Sequence, residues 1–127
     1  MTEAAKQRGI AGLVTDGSVR DSDEIVKMDF PLFCQSLCIK GTTKTCLGTI
    51  NHPIHFGDVE VHPGDLIMGD SDGVVVVARE DVPKVLDSAR QREEKERRIV
   101  LELKQGKTTL ELYAFTTLLE REGLKEE

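Results

Sequence analysis

Residues 12–25, GLVTDGSVRDSDEI, decide the fold, because an apolar run gives way there to a turn signal and then to charged residues. The run begins earlier: residues 10–15 are short and apolar, with glycine before them and Asp16-Gly17 after them. This pattern predicts a buried strand that ends at the turn. Residues 21–28 then predict a short helix. Together with the strands that follow, this order indicates the α/β class.

The rest of the first eighty residues predicts strands separated by turns. A helix tail at 3–8 stops at Gly9. Residues 74–78 are four valines and an alanine, and a β-branched run without alternation predicts a central strand covered on both faces. The other predicted features are a strand at 31–37, a polar loop at 41–44, and turns at 62–65 and 69–73.

The last third of the chain predicts helices. Val82-Pro83 is a helix start, where the missing proline N–H costs nothing, and the pattern runs to a stop at Gly106. Residues 108–111, TTLE, form a capping box for a last helix that ends near Gly123. Residues 1–127 are therefore expected to be one domain, with a sheet-rich part at 1–80 and helices at 81–127.

Composition and charge exclude several classes of protein. The 127 residues carry a net charge of −6, with 39% hydrophobic and 31% charged residues. This acidity argues against a nucleic-acid partner or an anionic membrane, and the basic residues at 90–98 alternate with glutamates as on a solvated helix face. There is no apolar run of membrane-spanning length. With no export signal, the three cysteines are expected to be reduced thiols in the cytoplasm.

Two metal-like patterns do not hold up. Cys34 and Cys38, followed by His52 and His55, have roughly zinc-finger spacing, but Pro53 prevents the two histidines from sharing a helix. The segment 70–73, DSDG, resembles the start of a calcium loop, but no glutamate follows at the required offset. We interpret both patterns as loop and core residues.

Arg20 and Asp21 allow two interpretations. In the first, Asp21 and Glu24 form a capping-box-like helix start, and Arg20 makes a surface ion pair. In the second, the two neighbours bind a ligand beyond the end of a strand, where α/β folds often place their sites. Arginine can pair with a carboxylate, and aspartate can hold a divalent cation. The second interpretation predicts a site for a small anionic keto acid with a metal.

Three segments resemble the RraA-like family: RGIAGLVTDGSVRDSDEI at 8–25, DFPLFCQSLCIKGTTK at 29–44, and INHPIHFGDVEVHPGDLIMGDSDGVVVV at 50–77. That family includes the 4-hydroxy-4-methyl-2-oxoglutarate aldolases, which also decarboxylate oxaloacetate. The resemblance implies a layered β/β/α swivelling-type domain and a homotrimer with its site in a cleft between subunits. It also implies that Arg20 is a catalytic, substrate-binding residue and that Asp21 is a catalytic ligand of Mg²⁺ or Mn²⁺.

The resemblance also implies elements that this chain does not contain. Such proteins have a glycine-rich amide loop and an acidic residue about twenty positions before the arginine, and counting back from Arg20 passes Met1. We therefore expect this chain to correspond to the C-terminal portion of such a protein. Two alternatives to a lyase stay open, namely a non-catalytic regulator of ribonuclease activity and an inactive fragment.

Overall fold

A computed structural model describes residues 1–43 and 45–123. Lys44, at the end of the predicted polar loop, and residues 124–127 lie outside the described part. The chain divides into an N-terminal unit, Met1–Glu80, and a C-terminal unit, Asp81–Glu127. The two units are described separately below, and their membership of one domain stays a prediction.

The described residues of the N-terminal unit form two short helices and six strands. The predicted helix tail at 3–8 is confirmed, and Gly9 follows it with a φ of 70°. The elements are α1 (Thr2–Gln7), β1 (Leu13–Val19), α2 (Ser22–Lys27), β2 (Leu32–Leu37), β3 (Ile54–Phe56), β4 (Val59–Val61), β5 (Leu66–Gly69) and β6 (Val74–Val77).

Strands β1 and β2 pair in parallel, and α2 is the connection between them. The prediction that the first strand ends at Asp16-Gly17 is wrong, because β1 continues to Val19. The pairing register shifts between Thr15 and Ser18, and the Gly17 N–H donates to Oγ1 of Thr15 at 3.1 Å. A glycine inside a strand often marks such an irregularity. Asp16-Gly17 thus forms an irregularity within β1 and not a turn that ends it.

Strands β3 and β4 form an antiparallel hairpin with one apolar face. Ile54 lies opposite Val61, and Phe56 lies opposite Val59. Paired residues share a face of a sheet, so these four side chains lie together, while His55 and Glu60 occupy the opposite face.

Strands β5 and β6 form a second antiparallel hairpin. The predicted turn between them is confirmed, since the Asp70 N–H donates to the Gly73 carbonyl at 3.0 Å. The prediction that the valine run is covered on both faces is wrong for the described residues. Val77 is buried, but Val75 is 60% exposed and pairs with the equally exposed Met68.

The three two-stranded sheets surround an apolar groove of about 780 Å³ within the N-terminal unit. All six strands contribute to its lining. We define the apolar groove by six of these residues: Leu13, Phe33, Ile54, Val59, Ile67 and Val76.

The C-terminal unit is helical. A 3₁₀ turn at Arg79–Asp81 leads into α3 (Val82–Lys104), so the predicted start at Val82-Pro83 is confirmed. Its charged face is solvated as predicted, with Arg–Glu pairs four residues apart. The prediction of one last helix is wrong. Ala114 adopts a φ of 52° and separates α4 (Thr109–Leu112) from α5 (Phe115–Arg121). None of the helices in the described ranges has the length and apolar character needed to cross a bilayer.

Candidate functional site

Arg20 and Asp21 lie at the carboxyl edge of the parallel pair β1–β2. Arg20 directly follows β1, and Asp21 is the residue before α2. The Cys38 N–H donates to the Val19 carbonyl at 2.9 Å, so the ends of the two strands are held side by side. Ligands in α/β folds bind at such edges.

The two side chains form an exposed ion pair. Nε of Arg20 lies 3.5 Å from Oδ2 of Asp21, and the side chains are 58% and 69% exposed. Pairs as exposed as this contribute about 0–1 kcal/mol to stability. Stability alone therefore does not explain why a guanidinium and a carboxylate stand together in solvent at this edge.

The helix-cap interpretation of Asp21 is wrong, because the hydrogen bonds that it requires are absent from the described residues. Asp21 occupies the N-cap position of α2, but its side chain makes no capping hydrogen bond. Glu24 does not reach back either, because Oε1 of Glu24 accepts from Nζ of Lys27 at 2.7 Å. The predicted capping box is absent from this helix, so the Asp21 carboxylate points to solvent without a capping role.

The backbone of Asp21 is left-handed, with a φ of 62° and a ψ of 37°. Aspartate and asparagine adopt this region more readily than most residues, although its conformational energy is lower still for glycine. This conformation turns the chain sharply between β1 and α2 and sets the aspartate beside the preceding arginine.

The loop after β2 returns to the same edge. A Cβ atom on Gly41 would lie 3.7 Å from Nη1 of Arg20, so the backbone of this loop passes beside the guanidinium. The sequence analysis placed Gly41 in a predicted polar loop and in a segment that resembles the family, but not beside Arg20. Its position after a strand at the same sheet edge was the available signal.

The other potential metal ligands do not gather. Among residues 1–43 and 45–123, no group of three or more His, Cys, Asp or Glu side chains is arranged to hold a metal. His55 lies in strand β3, which agrees with the prediction that the two histidines do not share a helix. At Asp21, the described part of the chain would thus offer a cation the Asp21 carboxylate without a cluster of three such ligands, which leaves room for water or substrate. This donor set suits Mg²⁺, which keeps several waters.

The N-terminus of α2 adds little to anion binding. The helix has six residues, and its first turn carries Asp23 and Glu24, whose negative charge opposes an anion there. Arg20 is therefore a group at this edge that favours an anionic substrate, and the Asp21 carboxylate favours a cation.

Comparison with known proteins agrees with this architecture. The model of the family described as "RraA-like: Aldolase/RraA" matches residues 1–76 of this chain. A protein of Halalkalibacterium halodurans named "Putative 4-hydroxy-4-methyl-2-oxoglutarate aldolase" is 44% identical over 89 residues, 70% of this chain and 42% of its own length. A protein of the same name from Pseudomonas fluorescens is 37% identical over 60% of this chain and 47% of its own length.

The fold is also similar to a solved structure. The crystal structure of an uncharacterized protein from Pseudomonas syringae has a TM-score of 0.79 and 34% identity, covering 85% of this chain and 55% of that one. The chain thus spans less than half the length of these two curated relatives and matches their C-terminal portion. The expectations of an α/β fold and of a C-terminal portion are confirmed, and the chain belongs to the RraA-like family.

Proposed function

We propose that Arg20 and Asp21 belong to the site of a divalent-metal-dependent lyase that releases pyruvate from short keto acids. The substrates are 4-hydroxy-4-methyl-2-oxoglutarate, by aldol cleavage, and oxaloacetate, by decarboxylation. The observation that carries the proposal is the exposed Arg20–Asp21 pair, 3.5 Å apart, at the edge of a parallel sheet. The aldolase names of two relatives support the substrate class.

Both reactions leave the same charge on the product. In aldol cleavage, the hydroxyl loses its proton and its carbon becomes the keto carbon of one pyruvate, while the bond between that carbon and the carbon next to the substrate's keto group breaks. In decarboxylation, the bond between the α-carbon and the departing carboxylate breaks, and CO₂ leaves. In each case the electron pair moves onto the keto oxygen and forms the enolate of pyruvate, which is then protonated on carbon. One site that stabilises this enolate can therefore serve both reactions.

Arg20 has the chemistry to hold the substrate. Its guanidinium can donate two parallel N–H bonds to a carboxylate in a forked geometry. Placed beside the keto oxygen, the same group stabilises negative charge that appears only in the transition state. Asp21 would hold the cation through an oxygen atom or through water. A divalent cation held there would supply Lewis-acid stabilisation of the developing charge.

Decarboxylation makes the smaller demand on the protein. It requires a bound substrate and a stabilised enolate, whereas aldol cleavage also requires a base for the hydroxyl proton. The described residues near Arg20 do not identify that base. Oxaloacetate is therefore the better substrate for testing these two residues alone.

The test uses a chimera that joins the part of the Halalkalibacterium halodurans relative preceding its matched residues to residues 1–127 of this chain. Pyruvate release from oxaloacetate is measured with Mg²⁺ or Mn²⁺ and with excess EDTA, against a blank of metal without protein. We expect metal-dependent turnover that Arg20→Ala and Asp21→Ala each abolish.

Asp23→Ala is the matched control, since it removes a carboxylate two positions from Asp21 and is expected to keep turnover. Undiminished turnover in excess EDTA would contradict the proposed role of the metal. A folded chimera without turnover would favour the non-catalytic alternative.

A further inference from the structure

The guanidinium of Arg20 has two edges that can receive a carboxylate. The side edge presents Nε and Nη2, and the end edge presents Nη1 and Nη2, each with two parallel N–H groups. Asp21 occupies the side edge, since its Oδ2 lies 3.5 Å from Nε of Arg20. Within the described ranges, no second acidic side chain forms an ion pair with this guanidinium. The end edge is therefore the one that a substrate carboxylate can reach.

Gly41 lies beside that end edge. A Cβ atom on residue 41 would lie 3.7 Å from Nη1 of Arg20. Apart from the chain neighbours of Gly41, Nη1 is the heavy atom of the described residues that such a Cβ would meet within 4 Å. A side chain at position 41 would therefore have one neighbour to cover, and that neighbour is the guanidinium.

The backbone does not explain the glycine at this position. The φ of Gly41 lies outside the left-handed region, in contrast to Gly57 and Gly64, whose φ values are 59° and 100°. Residue 41 is also exposed, so it is not confined by packed neighbours. A glycine loses more conformational entropy on folding than other residues do. The property of this position that a side chain would alter is the open space beside Arg20.

The size of a side chain at position 41 determines how much of the end edge stays open. A methyl group would only touch Nη1, because carbon and nitrogen atoms pack normally at about 3.5–4.0 Å. A β-branched side chain carries two further heavy atoms on Cβ, and these would extend over the N–H groups of the end edge. A carboxylate oxygen must approach a charged donor nitrogen to about 2.7–2.9 Å, so atoms placed there exclude it.

We propose that the carboxylate of the keto acid binds to the end edge of Arg20, and that Gly41 is a specificity-determining residue that keeps this edge open by having no side chain. The assignment rests on the proposed function, which supplies the keto acid as ligand. Its test measures chemical reactivity and protection, and not turnover. A chimera without lyase activity is therefore distinguishable from a failure of this assignment.

Phenylglyoxal tests the end edge directly, because this reagent condenses with the two Nη nitrogens of an arginine. The full 127-residue chain is treated in the presence of Mg²⁺, and mass spectrometry of its peptides gives the rate at Arg20. Arg92 of α3, whose side chain is 81% exposed, is the internal reference. We expect pyruvate to slow the modification of Arg20 in the wild-type chain. Methyl pyruvate, which has no carboxylate, should leave the rate unchanged.

Gly41→Ile is expected to slow the modification of Arg20 at least about fivefold and to remove the protection by pyruvate, because its branches cover the end edge. Gly41→Ala should react within about twofold of the wild type, since a methyl group only makes contact. Gly48→Ile is the matched control, because a Cβ at that position meets nothing within 4 Å. It should react like the wild type, and the rate at Arg92 should be the same in all variants.

Gly41→Val gives a second β-branched variant, in case Gly41→Ile does not fold, and circular dichroism of each variant checks the fold. The assignment is overturned if the β-branched variants at position 41 react at Arg20 as fast as Gly48→Ile, or if pyruvate protects them equally. It is also overturned if pyruvate does not protect Arg20 of the wild-type chain, or if methyl pyruvate protects it as well as pyruvate does.

Discussion

The ring of Phe33 occupies the space beside Gly69 that a side chain would need. A Cβ atom on residue 69 would lie 2.5 Å from Cζ of Phe33 and 2.7 Å from Cε2. Real Cβ atoms do not approach so closely, and both neighbours are ring atoms of one rigid side chain. This contact joins β2 of the parallel pair to β5 of the second hairpin across the apolar groove, and it depends on glycine at position 69.

Gly69→Ala is therefore expected to destabilise the N-terminal unit by about 1–3 kcal/mol, the usual cost of overpacking. The midpoint of urea or thermal unfolding measures the change. Gly48→Ala is the control, because a Cβ there meets nothing within 4 Å, and a change within about 0.5 kcal/mol is expected. Adding Phe33→Leu to Gly69→Ala should recover part of the loss, since the pair interacts directly. Equal stability of the two glycine variants would contradict the contact.

Asp21→Asn separates metal binding from helix capping. Asparagine also tolerates the left-handed backbone, and the native side chain makes no capping hydrogen bond, so stability should change by less than about 0.5 kcal/mol. The loss of the carboxylate should weaken Mn²⁺ binding at least tenfold, measured by water-proton relaxation. Asp23→Asn should leave Mn²⁺ binding unchanged. Unchanged Mn²⁺ binding in Asp21→Asn would contradict the metal role of the carboxylate.

The isolated chain is expected to self-associate, because apolar side chains line an open groove and several two-stranded sheets have free edges. The expected species is the trimer that the family resemblance implied. Multi-angle light scattering across a concentration series measures it. A monodisperse monomer of 14.1 kDa at all concentrations would refute this prediction.

The capping box of α4 makes the stability of this helix depend on pH. The backbone N–H of Thr108 donates to the Glu111 carboxylate at 2.8 Å, and this bond holds the pKa of Glu111 below its ordinary value of 4.5. A lowered pKa means that the contribution to stability is fully present above pH 4.5 and is lost as the pH falls through the folded-state value.

Helix content measured by circular dichroism should therefore decrease at acid pH, and Glu111→Gln should reduce the size of that decrease. Glu120→Gln, at an exposed position of α5, is the matched control and should lose helix content at acid pH to the same extent as the wild type. An identical acid transition in Glu111→Gln would exclude the capping box as its cause.

Several features of this protein follow from the sequence alone because they depend on neighbouring residues. The capping box at Thr108, the start at Val82-Pro83 and the stop at Gly106 were all predicted correctly, since caps and turns are set by a few adjacent side chains and backbone angles. The Arg20–Asp21 pair was likewise identified from its order behind a strand and from the family resemblance. Local chemistry was sufficient in each case.

Other features depend on groups that are distant in sequence. The sequence did not reveal that β1 continues through Gly17. The strand continues because residues on both sides of Asp16-Gly17 pair with β2, which is distant in sequence. A capping role for Asp21 was one of two interpretations, and the structure shows no capping hydrogen bond from Asp21 and a Lys27 partner for Glu24. Gly41 beside Arg20 and Phe33 over Gly69 are brought together only by the fold. The sequence therefore determined most of the elements and the adjacency of Arg20 and Asp21. The tertiary structure decided where strands end, which face stays open and what lies beside the arginine, because those depend on packing between distant segments.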